Sequence, residues 1–454
     1  MPPSIPDRLY RWVLSIDHPV VATLLGGPNL AYTATFDPDI TRQQLDRIEA
    51  EVFGPGGVAA RERAEGPDSL GVLVRRSYAQ FLGRVATLRY PRARHVHLLL
   101  HTILAAGLVP ALAARARRGA GPTERRRVVI VGENEGARKL SQEHGADRDL
   151  VHCAQPGEGF GRPELGFLLR CIRAYPQLLG CPPLLTNLVR WLSKYGWIRR
   201  RYQPDELVVF AEGTPSCSIL TGYLREHGIR HVNHMHGERF STPAQAFCAF
   251  DGISVWGEEF RQMFLGQRWS PGSVRIQGTA FHRKLFQELR GVPGEPRTIL
   301  IIHTQFLSPG AQPFEALVEV LRALGPSWTA VFRPHYHQMK HGRDCFAALR
   351  QALREASLEW QDPARTTLDA GLARASTVVG AYSTALLEAW IAGRKLIHLP
   401  GEMSRGALMR RYHGSPNVLF ADTAADAVAF ASRPADDGDD ERRRVDRLVK
   451  VSRP

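Results

Sequence analysis

The chain reads as a parallel α/β protein made of two doubly wound units behind an α-rich N-terminal region. Three observations predict this. From about residue 125 onward, short apolar, β-branched runs alternate with segments of helical periodicity, the pattern of right-handed strand–helix–strand crossovers. The alternation stops at Gly291-Val292-Pro293-Gly294-Glu295-Pro296, a linker composition, and then restarts. Polar clusters fall at the ends of predicted strands, where open α/β sheets bind their ligands. A length of 454 residues suits two or three domains. The expected division is an α-rich region over 1–120, a first unit over 121–292 and a second over 293–454.

In the N-terminal region, Ile40 to Val52 has Leu45, Ile48 and Val52 at helical spacing, and Ser77 to Leu88 and Val96 to Arg117 also read as helices. His97 to Ala114 is apolar but interrupted by His101 and Pro110, and Arg115, Arg117 and Arg118 follow it. It is marginal in length for a membrane span. A buried helix is the first reading, and an interfacial helix with a basic edge is the alternative.

In the first unit, Arg127 to Val131 is a strand, followed by a turn at Gly132 to Gly136 that lacks GxGxxG. Asp149 to Ala154 reads as the next strand, and Pro163 to Lys194 as helix broken around Pro182-Pro183. Leu207 to Phe210 is a strand, Ser216 to His227 a helix, and His231 to Glu238 a strand with its turn. Gly252 to Gly257, a helix from Glu258 and Val274 to Thr279 complete the unit.

In the second unit, Thr298 to Thr304, Thr329 to Arg333 and Leu358 to Gln361 read as strands, with helices at Phe314 to Leu324 and Phe346 to Ala356. Thr377 to Gly380 is a buried strand, and Ser383 or Thr384 can cap the helix after it. Leu386, Leu387, Trp390 and Ile391 form that helix's apolar stripe, and Gly393 stops it. Lys395 to Leu399 and Val418 to Phe420 are further strands, with a helix from Thr423. Pro434 to Asp440 reads as loose and acidic, and the basic end as frayed.

Composition narrows the partners. A formal net charge of +14 points to an anionic one, although an arginine-rich composition also follows from a biased genome. No aromatic-and-basic nucleic-acid module is recognisable, so nucleic acid is not expected. The six cysteines form no CxxC pair, which argues for reduced thiols in a cytoplasmic protein and against a zinc site. Met1 to Pro19 has charges and prolines and does not read as a signal peptide.

Four strand-end clusters carry candidate chemistry: Glu212-Gly213, His234 to Glu238, Arg333 to His337, and Tyr382-Ser383-Thr384. Glu212 follows an apolar strand and precedes a glycine, which suits a general base; a surface carboxylate near a helix start is the alternative. His236 and Glu238 are its rivals, and Gly237 would let a ligand approach the backbone. Arg333 and His335 share one face of an extended segment and together make a phosphate clamp. Ser383 and Thr384 open a helix at a strand's carboxyl end, a phosphate site or simply a cap. Thr279 and Glu388 are further donor-side candidates.

These motifs, in this order, resemble GT-B glycosyltransferases. They are most similar to the branch with CDP-glycerol glycerophosphotransferases, bacterial polysialyltransferases and capsule Kdo transferases. In that branch an acidic-Gly motif carries the base, a His-Pro motif holds the donor phosphate and a Ser-Ser/Thr motif helps bind it. Glu212-Gly213, His335 and Ser383-Thr384 match in order, and His236-Gly237 resembles the His-Gly of the glycerophosphotransferases. Gly278 to Leu285 resembles their closing segment without its Arg-Asn-Asp core, Tyr336 stands where the family has proline, and Ala211 where it has a second acid.

The resemblance implies two Rossmann-like units facing a cleft. It implies a nucleotide-linked sugar or polyol phosphate as donor, a surface or capsular polysaccharide or lipid-linked acceptor, and no separate cofactor or metal. It also implies a cytoplasmic setting, with peripheral contact at the inner face of an anionic membrane. A UDP-sugar 2-epimerase and a non-catalytic GT-B-like binder of an anionic polymer are the rival readings.

Overall fold

The computed structural model describes residues 38–86, 126–132, 135–143, 149–210, 214–235, 237, 241–302, 312–333, 346–356, 359–361, 368–381, 383–400, 409 and 411–451. By its internal contacts the chain divides into two compact units. One holds the residues through 236 with 241–255 and 260–275. The other holds 237–240, 256–259 and everything from 276 onward.

The first unit opens with helices α1 (Pro38–Phe53), α2 (Gly57–Glu65) and α3 (Leu70–Ala86). The stripe predicted for α1 is the reason it packs: Leu45, Ile48, Val52 and Phe53 are buried with Val58, Ala79, Ala246 and Phe247. Arg76 of α3 is 1% exposed, and its guanidinium donates to the carbonyls of Phe247 (3.3 Å) and Arg268 (2.7 Å) and to the Glu62 carboxylate. These helices are therefore tied into the first unit by a buried, fully engaged cation.

The sheet of this unit is built from β1 (Val128–Val131), then helix α4 (Glu135–Glu143), β2 (Leu150–Cys153), α5 (Arg162–Ala174) and α6 (Pro182–Tyr202). It continues with β3 (Glu206–Val209), α7 (Cys217–Arg225), β4 (Arg230–His234), β5 (Gly252–Val255), α8 (Glu258–Gly266) and β6 (Val274–Ile276). The strand order is β2-β1-β3-β4-β5-β6, and β1 through β5 pair in parallel. Between α5 and α6 the chain makes a 3-10 turn over Pro176–Gly180. The predicted break therefore comes just before Pro182, which with Pro183 starts α6 where a missing N–H costs nothing.

The second unit runs α9 (Ala280–Leu289), β7 (Glu295–Ile302), α10 (Gln312–Leu324), β8 (Thr329–Arg333), α11 (Phe346–Glu355) and β9 (Glu359–Gln361). It continues with α12 (Leu368–Arg374), β10 (Ala375–Gly380), α13 (Thr384–Ile391), β11 (Lys395–His398), β12 (Val418–Phe420), α14 (Ala424–Ser432) and α15 (Asp439–Leu448). The order is β12-β11-β10-β7-β8-β9, all parallel. Ile299, Ile301, Phe332, Val379 and Ile397 of this sheet are buried with Phe314, Leu317 and Leu321 of α10 and Leu349 and Leu353 of α11.

Two expectations are corrected here. The linker gives way to β7 already at Glu295, because the Glu295 carboxylate takes two bonds from Arg374 (2.9 and 2.8 Å) and Ala375 pairs with it across a register shift. The basic end is helical and not frayed. Glu441, Val445 and Leu448 give α15 one buried face, and Glu441 accepts from Trp390 Nε1 at 2.6 Å. Asp439, Asp440 and Glu441 sit in its first turn, where the helix dipole favours them. The segment 97–114 lies outside the described residues; among those described, no helix is long and apolar enough to cross a membrane.

Candidate functional site

Chain order within each sheet decides where a ligand fits. In the second sheet the connections run from β7 outward to β8 and β9, then return to β10 on the other side. The direction of winding reverses between β7 and β10, and open α/β sheets bind ligands outside the carboxyl ends of the strands at such a point. The two ends there are Ile302 and Gly380, which are in register. The same row runs Phe420, His398, Gly380, Ile302, Arg333 across five strands. In the first sheet the reversal falls between β1 and β3, and Glu212 follows the end of β3 by three residues in sequence.

Ser383 and Thr384 follow the end of β10 by three and four residues. Ser383 is the N-cap of α13: it is extended, and its Oγ accepts from the Ala385 N–H at 3.3 Å. Thr384 is the first helical residue and partly exposed. A Cβ built on Gly237, a residue of the same unit, would lie 3.2 Å from Thr384 Oγ1. A side chain at 237 would crowd that hydroxyl, so two positions chosen from separate motifs are neighbours. Glu388 sits one turn further along α13 and is 7% exposed.

Arg333 ends β8, partly exposed, one strand beyond β7. At about 4.8 Å per strand its Cα lies roughly 10 Å from that of Gly380. A guanidinium on its flexible stem spans much of such a gap. Thr279 is the N-cap of α9, where its Oγ1 accepts from the His282 N–H at 3.0 Å. Its hydroxyl oxygen already serves the fold. Glu212, His236, Glu238 and His335 lie outside the described residues.

One residue of this row was not singled out from sequence. His398 is 3% exposed, and among the described residues neither ring nitrogen has a hydrogen-bond partner. Its ring stacks on Phe420 (centroids 4.9 Å apart) and lies 5.4 Å from Tyr412. Burial pushes its pKa down to about 3, so the imidazole is neutral. A histidine closing a buried strand among apolar residues, in Lys395-Leu396-Ile397-His398, was the available signal. Among the described residues, no group of three or more His, Cys, Asp or Glu could hold a metal.

No protein-family profile matches the chain, and no curated protein does. Solved structures with similar folds exist. The UDP-GlcNAc 2-epimerase of Methanocaldococcus jannaschii, in complex with UDP-GlcNAc and UDP, is 14% identical with a TM-score of 0.41, over 70% of this chain and 98% of that one. The wall teichoic acid polymerase TagF is 10% identical with a TM-score of 0.44, over 78% and 94%. The lipopolysaccharide outer core galactosyltransferase WaaB is 13% identical with a TM-score of 0.40, over 72% and 96%. Nothing about substrate follows from identities this low.

Proposed function

We propose that the chain is a GT-B glycosyltransferase that moves a sugar or polyol phosphate from a nucleotide-linked donor to a surface or capsular polysaccharide acceptor. The observation that carries this reading is the position of Ser383-Thr384. They open a helix beside the switch point of the second sheet, with Gly237 against Thr384 and Arg333 in the same strand-end row. Free N–H groups at a helix start and a guanidinium are what a diphosphate needs.

In the proposed reaction, Arg333, His335, Ser383 and Thr384 hold the donor's phosphates, with Gly237 leaving room for them. Glu388 and Thr279 belong to the donor side, Glu388 as a polar group and Thr279 through the helix it starts. Glu212 takes the proton of the acceptor hydroxyl, with His236 and Glu238 as the alternative bases. The hydroxyl oxygen attacks the donor, the bond to the nucleotide's phosphate breaks, and the charge growing on that phosphate is stabilised where it leaves.

The test follows nucleotide release from CMP-, CDP-, UDP- and GDP-linked donors, with and without oligosaccharide. One donor should release nucleotide, and Glu212→Gln should lower turnover by about a hundredfold or more with donor KM little changed. Release from none of the four, or full turnover in Glu212→Gln with loss in His236→Ala or Glu238→Gln, would overturn the activity or the base respectively.

A further inference from the structure

Outside the donor side, one loop of the first unit is built with unusual economy. Gly157-Glu158-Gly159-Phe160-Gly161 connects β2 to α5, on the carboxyl side of the first sheet. Packing against a rigid ring imposes Gly157, whereas Gly159 faces the movable end of Arg200. A Cβ on Gly157 would lie 2.6 Å from the Trp197 indole, and one on Gly159 would lie 2.2 Å from the Arg200 guanidinium. The Gly159 N–H donates to Ser193 Oγ at 3.0 Å, and Arg200 donates to the Gly159 carbonyl. The Gly161 N–H donates to the Glu164 carboxylate at 2.7 Å. Phe160 is buried. The loop is thus clamped onto α6 and presents one polar side chain, Glu158, half-buried.

Two cations act electrostatically on the Glu158 carboxyl, Arg190 and Lys194, one turn apart on α6. Lys194 Nζ sits 4.8 Å over the Trp191 ring. Arg190, Trp191 and Lys194 are all partly exposed. The same stripe of α6 includes Asn187, whose Oδ1 accepts from Ser216 Oγ at 2.6 Å in the turn after β3. The stripe therefore borders the strand ends of the first sheet. Among the described residues, Arg199 and Arg200 also lie close to the loop, and both pair with Glu164, at 3.5 and 3.0 Å.

Resting on the transferase reading above, we propose that this cluster recognises the acceptor, and that the acceptor is an anionic saccharide. Arg190 and Lys194 meet its carboxylates, Trp191 offers a ring for a sugar face, and Glu158 hydrogen-bonds its hydroxyls. The chemistry suits an anion better than a neutral glycan. Burial pushes the Glu158 carboxyl up to about 7 against the pull of Lys194 and Arg190. Near neutral pH the cluster therefore shifts between one and two net positive charges, and an arriving anion favours the protonated form. A net charge of +14 over the whole chain agrees with such a partner.

The experiment is calorimetric titration of the full chain at pH 6 and pH 8 with three probes: an oligogalacturonate, a maltooligosaccharide of equal length, and tripolyphosphate. The oligogalacturonate should bind roughly fivefold more tightly at pH 6, a modest Coulomb effect at partly exposed groups. Glu158→Gln, which mimics the protonated acid, should bind at both pH values as the wild type does at pH 6. Arg190→Gln with Lys194→Gln should weaken binding at least tenfold while the melting temperature stays put. Equal binding of the neutral glycan, tripolyphosphate binding that is lost in Arg190→Gln with Lys194→Gln as fully as uronate binding is, or a pH dependence that survives in Glu158→Gln would overturn the proposal. Donor release measured on the same preparations separates the two failures. Release without uronate binding sinks the acceptor site alone, and uronate binding without release sinks the transferase reading.

Discussion

Among the described residues each sheet buries one histidine, and the two are treated in opposite ways. His231, near the start of β4, is fully buried between two partners. Tyr195 hydroxyl lies 3.1 Å from Nε2 and Thr221 Oγ1 lies 2.7 Å from Nδ1. Thr221 has a single proton, and its Oγ1 is 2.8 Å from the Ala249 carbonyl and 3.0 Å from that of Cys217. Its hydroxyl therefore donates to a carbonyl and accepts from His231 Nδ1–H, leaving Nε2 to accept from Tyr195. Every polar atom of the ring is used. His398, at the end of β11, has aromatic neighbours and, among the described residues, no partner for either nitrogen. The difference follows position. An amino-end histidine is enclosed by helices that supply hydroxyls, whereas His398 closes the strand-end row that contains Gly380 and Arg333. The first is a finished structural part, and the second leaves hydrogen-bonding capacity unspent at a cost to stability.

The largest test of this comparison is what the two residues share. Burial holds both at about 3, far below the ordinary value for histidine. Between about pH 3 and 6.5 the unfolded chain binds protons that the folded one does not, so stability rises with pH there and is complete above about 6.5. Lowering the pH from 7 to 5 should cost about 2 kcal/mol per histidine, read by urea unfolding. Glu158 works in the opposite direction: with its raised pKa the folded state binds the extra proton between about 4.5 and 7, so stability falls as pH rises there. The difference between wild type and His398→Phe cancels that contribution. It should show half the histidine effect, and identical pH slopes in the two proteins would break the pairing.

A smaller effect separates the two sites. Thr221→Val keeps the shape but strands the His231 N–H, and should cost about 1 to 3 kcal/mol. His398→Phe removes two unpartnered nitrogens from an aromatic stack, and should lie within about 1 kcal/mol of the wild type or above it. Equal losses in both variants would mean that His398 is as well satisfied as His231.

Most of the fold was legible because both units obey local rules. The strand at Val418–Phe420, the Ser383 cap and the stop at Gly393, where φ is 75°, could all be read from neighbouring residues. The misreadings have physical causes. In α15 an Arg- and Asp-rich sequence hid a narrow buried face of Glu441, Val445 and Leu448. At Glu295 a long-range pair with Arg374 drew a Pro-containing linker into the sheet. The strand-end placement of Ser383, Thr384 and Arg333 was legible, since they end or follow their strands. The nearness of Gly237 to Thr384 and the unpartnered state of His398 depend on packing between distant segments, which no local pattern carries. The Gly157–Gly161 loop was passed over because Gly157 acquires meaning only against Trp197, forty residues away in sequence.

The central claim is that the carboxyl edge of the second sheet binds the phosphates of a nucleotide. The direct measurement is the melting temperature of the full chain with CMP, CDP, UDP and GDP, since a ligand that binds only the folded state raises it. The account predicts a rise with at least one of the four. It predicts that Arg333→Ala, and Ser383→Ala combined with Thr384→Ala, each lose most of that rise while the circular dichroism spectrum stays native. A wild type unmoved by all four, or a rise that persists undiminished in both variants, would contradict it.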